Sequence, residues 1–132
     1  MNDANPSRAF APGSHAIAAH GGGAFAFAGM LHRGSILATP TGVRGIEAAS
    51  VDHFDERVLA ALFAELTEAP GSIEFLVIGA GAQMALAPRA LRAALSEAGL
   101  RFEAMATGPA LRVYNVMQSE GRRVAAALIA AP

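Results

Sequence analysis

Residues 73–78 set the strongest limit on what this chain can fold into: apolar at every position except Glu74, they lie between Pro70-Gly71 and Gly79-Ala80-Gly81. A run this short, closed by turn residues at both ends, reads as a strand buried on both faces, as central parallel strands usually are. Such a strand needs a layer packed on each side and crossover connections to its parallel neighbours. The flanking sequence supplies them. Val58, Leu59, Leu62, Phe63 and Leu66 fall at helical spacing over 55–69, and Pro70 and Gly71 stop that helix. Pro88 opens a second helix whose face carries Leu91, Leu95 and Ala98 and which Gly99 ends. A strand follows at 100–105. Thr107 then offers an N-cap oxygen to a helix running to about Ser119, and a last strand covers 124–129.

Upstream the pattern differs. Short apolar pieces at 16–19, 24–28 and 35–38 are separated by glycines and closed by Pro40, Thr41 and Gly42, which predicts antiparallel strands. Residues 1–15 mix Asn, Pro, Gly and Ser without apolar period and read as a flexible tail before one domain at 16–132. The whole is an α/β chain with a mixed sheet, helices on it and extra antiparallel strands at the N-terminal side. The apolar tracts at 75–88 and 124–132 are shorter than the roughly 18 residues of a spanning helix, so direct membrane insertion is not expected. Asp3 and the glycines at 21–23 also argue against an export signal, which places the protein in the cytoplasm.

Of the 132 residues, 53% are hydrophobic and only 16% charged, and the ten basic residues, all Arg, nearly cancel eleven acidic ones. A net charge of -1 gives no field to gather nucleic acid. The absence of cysteine removes disulfides, thiolate nucleophiles and thiolate metal ligands. His15, His20, His32 and His53 share no ligand spacing, so no metal is expected. Gly79-Ala80-Gly81 is half of a dinucleotide fingerprint, but Met84 stands at the third glycine position and Glu103 lies inside a strand, so no cofactor is expected. Asp52, His53 and Asp55 fit a helix cap better than an acid and base group, and Ser50 stands in no nucleophile elbow.

The densest polar group lies in the last third. Gly79 and Gly81 end one strand, Thr107 begins a helix after another, and Arg112, Tyr114 and Asn115 follow on that helix. If these converge at the carboxyl edge of the sheet, they form a cleft for a small molecule or anion. The structural alternative has Arg112 paired with a carboxylate, the Tyr114 ring in the core, and Asn115 or Gln118 tying down a helix end. Arg122 and Arg123, beside Glu120, make either a solvated turn or an edge offered to a protein partner.

The segment 105–116, Met-Ala-Thr-Gly-Pro-Ala-Leu-Arg-Val-Tyr-Asn-Val, followed by Glu120-Gly121-Arg122-Arg123 and the apolar run to Ile129, resembles the signature end of the Mth-type domain family of unknown function. That family includes the mitochondrial complex I assembly factor three and the adipogenesis-associated Mth-type domain protein. Residues 75–81 resemble its strand and glycine loop, and Gly34-Ser35-Ile36-Leu37 with Pro40 resembles its N-terminal strand region; together these cover most of 23–130. The resemblance implies a three-layer α/β domain with a mixed sheet of about five strands and added strands on one side. It does not imply an enzyme. Ala106 stands where the family commonly has an acidic residue, Pro109 where a small residue is usual, and the aromatic often seen after the first strand region is replaced near Gly45. The absence of a carboxylate at Ala106 weakens a reading of acid and base chemistry in that pocket.

These readings lead to a bacterial, non-enzymatic cytoplasmic protein that binds a protein partner or a second copy of itself. The resemblance adds assistance to the assembly of a membrane or respiratory complex, at the inner membrane through a partner. The alternative is a small-molecule or anion-binding protein, or a weak enzyme, using the Gly79 loop and the Thr107 helix.

Overall fold

In the computed structural model, residues 10–131 are described, and among them are nine strands and three α-helices. The strands are β1 (Phe10–Pro12), β2 (Ala18–His20), β3 (Ala24–Phe27), β4 (Met30–Arg33), β5 (Ile36–Thr39), β6 (Gly42–Gly45), β7 (Phe75–Gly79), β8 (Arg101–Met105) and β9 (Val124–Leu128). The helices are α1 (Ala60–Glu68), α2 (Arg89–Glu97) and α3 (Thr107–Ser119). Six strands form one mixed sheet in the order β1-β6-β5-β9-β7-β8, and β2-β3-β4 form a separate antiparallel sheet. β7 pairs in parallel with both β8 and β9, while β9 meets β5 antiparallel. The strand inferred at 73–78 is therefore central and parallel, as its apolar character requires.

Side-chain alternation sorts the core into two faces. Leu76, Ile78, Ala125 and Ala127 point towards α1 and α2, where they meet Leu59, Leu62, Leu91 and Leu95. Val77, Val124, Ala126 and Leu128 point the other way, onto Ala110, Leu111 and Tyr114 of α3 and onto Phe25 and Phe27 of the small sheet. The result is three layers: two helices, the six-stranded sheet, then α3 beside the three-stranded sheet. β9 sits third from one edge and is buried at all five positions, Val-Ala-Ala-Ala-Leu. Its small side chains leave room for bulky leucines and aromatics to approach from both layers.

Helix ends follow local chemistry. α2 and α3 both close in a Schellman motif: Leu100 N–H donates to Leu95 O and Gly99 N–H to Ser96 O, and Arg122 N–H donates to Met117 O and Gly121 N–H to Gln118 O, each bond 3.0 Å. Gly99 and Gly121 hold the left-handed position, at φ +76° and +74°. The second motif delivers the chain into Arg122, Arg123 and β9.

Several expectations need correction. The tail assigned to 1–15 is too long, because Phe10–Pro12 pairs with β6, with the Phe10 ring 4.6 Å beneath the Arg44 guanidinium. Its first nine residues lie outside the described residues. The mixed sheet, expected at about five strands with added antiparallel strands beside it, is present as expected and has six. The helix expected from residue 55 begins as turns, in which Asp55 Oδ1 accepts from Val58 N–H at 2.7 Å, and becomes regular only at Ala60. Pro88 occupies the N-cap of α2 instead of its first turn. Thr107 is not the cap of α3: that position belongs to Ala106, and the Thr107 hydroxyl is engaged elsewhere.

The packing of β9 makes a stability prediction. Ala126 is fully buried, with Ala38 and Val77 beside it in the neighbouring strands. Ala126→Leu is expected to lower the unfolding free energy by roughly 1–3 kcal/mol through overpacking, read as a reduced urea midpoint with an unchanged m-value.

Candidate functional site

The carboxyl ends of the three parallel strands converge on Thr107. Its N–H donates to Gly81 O at 2.8 Å. Its Oγ1 accepts from Gly81 N–H at 2.9 Å and donates to Ile129 O at 2.8 Å. Two further backbone bonds close the same region: Ala80 N–H donates to Met105 O at 2.8 Å, and Ile129 N–H to Gly79 O at 2.9 Å. The loop after β7, the start of α3 and the end of β9 are thus joined by one buried hydroxyl, which uses both its donor and an acceptor inside the fold. Gly79 permits that closeness, since a Cβ there would lie 2.8 Å from Leu128 Cδ2 and 3.0 Å from Thr107 Oγ1.

Tyr114, Asn115 and Gln118 turn from this junction towards the chain's own N-terminal segment. The Tyr114 ring is buried in the core and its hydroxyl donates to His15 O at 2.7 Å. The Asn115 amide forms a two-way bridge with Ile17, accepting from its N–H at 2.9 Å and donating to its carbonyl at 2.6 Å. Gln118 Nε2 donates to Ser14 Oγ at 3.2 Å. Residues 14–17 are strapped across α3 in this way, and Ile17 buries its side chain against Phe25 and Tyr114.

Gly79, Gly81 and Thr107 are therefore brought together, Tyr114 and Asn115 face the strap, and Arg112 stands exposed on the solvent side of α3. A cavity of about 210 Å³ is lined by Thr107, Gly108 and Leu111 with His20, Gly21 and Phe25, and the other five expected cleft residues are not part of its wall. Of the structural alternatives, the core position of Tyr114 holds, while Asn115 fastens the strap rather than a helix end. Arg122 forms an ion pair with Glu74 at 3.0 Å, and Arg123 Nε donates to Gly71 O at 2.9 Å. The Arg122 guanidinium, with the Arg123 backbone N–H, holds the Glu74 carboxyl below its usual range. These arginines brace the entry to β7 against the entry to β9.

What the sequence reading missed lies at the free edge of β8. Two cavities flank this strand. One, of about 260 Å³, lies on the α2 side between Phe102, Ala104, Met84, Leu86 and Arg92. The other, of about 450 Å³, lies on the α3 side between Arg101, Met105, Val113, Met117 and Arg122, and Glu103 reaches both. Met84 and Leu86 are 59% and 60% exposed, which is unusual for large apolar side chains beside one another on a loop. The signal was present in the sequence as two apolar residues inside the Gly-Ala-rich loop after β7.

With this geometry in view, comparison with known proteins places the chain. Residues 17–129 match the model of a family described as protein of unknown function DUF498/DUF598. The chain belongs to this family. An uncharacterised family relative from Rhodobacter capsulatus is 39% identical over 120 residues, which is 91% of this chain and 88% of that protein. The crystal structure of a protein from Bartonella henselae, described as an outer membrane protein, superposes with a TM-score of 0.80 at 38% identity, covering 92% of this chain and 98% of that one. The NMR structure of the Rpa2829 protein from Rhodopseudomonas palustris gives a TM-score of 0.74 at 40% identity, covering 98% and 93%. A Bordetella pertussis protein described as a Mth938-like domain shares the fold at a TM-score of 0.72 and 23% identity, over 98% of this chain and 90% of that one. The Mth-type resemblance of the sequence is thus the family's own fold. No helix among the described residues is long and apolar enough to cross a membrane.

Two measurements probe this region. Thr107→Val keeps the side-chain shape but leaves Gly81 N–H and Ile129 O unpaired, at a cost of roughly 1–3 kcal/mol for each buried group; Thr107→Ser is expected to recover most of the loss in urea unfolding. Tyr114 is the one tyrosine in a chain without tryptophan, so phenolate absorbance reports on it alone. Burial pushes its phenol up to about 12. A folded-state value above the unfolded value of about 10 contributes stability that is present below pH 10 and lost as pH rises through about 12. The native absorbance midpoint is expected near 12, falling to about 10 in denaturant.

Proposed function

We propose that this chain is a non-enzymatic, cytoplasmic protein-binding domain whose docking face is the open edge of β8 with the exposed Met84 and Leu86 beside it. The observation that carries this reading is the contrast between the two places where function was sought. At the Thr107 junction the polar groups are engaged with one another, and the cavity beside it includes only one of the six expected cleft residues, Thr107, in its wall. At β8 the opposite holds: backbone hydrogen-bonding groups, apolar side chains and two shallow cavities face outward together. Edges of this kind receive strands from other chains.

The resemblance to the family branch that includes a respiratory complex I assembly factor supports a more specific role, in which the domain holds a partner during assembly of a membrane complex. Association with the inner membrane then runs through that partner.

Affinity capture of the tagged protein from its native cells in mild detergent tests the reading, with Met84→Asp/Leu86→Asp run in parallel. Subunits of a membrane complex are expected with the native chain and depleted at least about tenfold with the double variant, the effect of removing roughly 1.4 kcal/mol of binding. Both positions are exposed, so the variant retains its fold. Recovery of no protein partner, with a stoichiometric small molecule in the native mass spectrum, overturns the reading in favour of the cleft.

A further inference from the structure

β8 has a backbone polarity that can be read from its neighbours. Met105 O accepts from Ala80 N–H on the β7 side. In a strand the N–H and C=O of one residue point the same way and alternate between successive residues, so Arg101, Glu103 and Met105 bond towards β7. Phe102 and Ala104 therefore turn their N–H and C=O outward. The Leu100 carbonyl has the same parity as these two, while its N–H is taken by Leu95 O.

The side chains carry a second pattern. Arg101 and Glu103 lie on one face of the strand, both exposed, and among the described residues neither makes an ion pair or side-chain hydrogen bond. Phe102 lies between them on the other face, half-buried beside Met84 and Leu86. The sequence Arg-Phe-Glu is its own electrostatic complement when read backwards.

We propose that β8 pairs antiparallel with β8 of a second copy of this chain about a two-fold axis through Phe102, joining two six-stranded sheets into one. This rests on the reading of β8 as the protein-binding edge and names the occupant. Antiparallel pairing sets outward-facing residues opposite one another, which an axis through Arg101, Phe102, Glu103 or Ala104 satisfies; an axis through Arg101 or Glu103 sets that charge against its own copy, whereas one through Phe102 matches opposite charges. In that register Phe102 exchanges both backbone bonds with its counterpart, and Ala104 N–H reaches the Leu100 carbonyl of the other copy. Arg101 falls opposite Glu103 at both ends, in the closely spaced position where cross-strand pairs interact best. An axis through Ala104 instead sets Glu103 against Met105 and leaves both charges unmatched. The isologous arrangement also brings each copy's Phe102, Met84 and Leu86 to the same side, covering the apolar surface that a lone chain exposes.

The opposite edge of the sheet lacks these properties. β1, which spans Phe10–Pro12 among the described residues, ends in Pro12, which has no N–H to donate, and carries the Arg44–Phe10 stack. β8 contains no proline.

The test is the solution mass of the full chain by sedimentation equilibrium across the micromolar range, with charge reversals at two exposed positions. The native chain is expected at twice its 13.5 kDa. Arg101→Glu and Glu103→Arg each replace two attractive pairs with two repulsive ones and are expected to weaken the dimer about tenfold. The double variant Arg101→Glu/Glu103→Arg restores opposite charges and is expected to recover native affinity. An equimolar mixture of the two single variants is expected to form a mixed dimer, since each then meets its complement. A native chain that stays at single-chain mass overturns the proposal, as does a dimer indifferent to both reversals. In either case, capture of a membrane-complex subunit that Met84→Asp/Leu86→Asp abolishes leaves the protein-binding reading standing with a different occupant. Capture insensitive to that variant removes both.

Discussion

One threonine hydroxyl holds together the carboxyl edge of the three parallel strands, the place where an α/β sheet ordinarily binds its ligand. Three parallel strands end side by side, and in α/β sheets that edge ordinarily opens into a ligand crevice because the following loops diverge. Here they are drawn inward. Thr107 Oγ1 bridges the loop after β7 to the segment after β9, its N–H fixes Gly81 O, and Gly79 gives it the space to do so. A hydroxyl buried without partners costs free energy, whereas one satisfied on both sides fixes a unique arrangement of the backbone around it. The residue that the sequence offers to a crevice spends its hydroxyl on the backbone around it.

The consequence extends along α3. Once its first turn is tied to the sheet, the direction of the helix is fixed, and Tyr114, Asn115 and Gln118 face the incoming chain at 14–17. The Asn115 amide acts towards Ile17 as a neighbouring strand would, which holds Ile17 in the core beside the aromatic residues of the small sheet. Polar density on a helix is thus no guide to ligand binding by itself, because a chain that crosses its own helix needs the same donors and acceptors as a ligand does.

This explains which parts of the structure were legible in the sequence. β7, β9, α2 and α3 carry signals contained within their own segments: an apolar run, a helical period, a glycine at the C-cap. β1, β4 and β6 carry none. Gly42–Gly45 reads Gly-Val-Arg-Gly, with little strand propensity, and becomes a strand because β5 and β1 pair on either side of it. Phe10–Pro12 contains a proline that argues for a loop and is tolerated because the strand lies at an edge. At the site, residue types were readable but their partners were not: Thr107, Tyr114 and Asn115 bond to residues 22 to 99 positions away in the chain. Their destination depends on the order of strands, which no local pattern encodes.

The two ends of the large sheet show how the same backbone chemistry leads to different outcomes. Every open sheet leaves unpaired N–H and C=O groups at its edges, and proteins usually shorten, bend or charge those edges to prevent adventitious pairing. β1 ends in proline and carries an arginine over its Phe10 ring. β8 has charges too, but one of each sign, spaced so that they deter a partner in most registers and match it in one. A single-sign edge would repel every copy of itself; an uncharged edge with Phe102 at its centre would pair in any register and aggregate. In the proposed pairing, opposite charges flanking an aromatic residue favour the antiparallel register centred on Phe102, and the same charges that deter random association select the specific one.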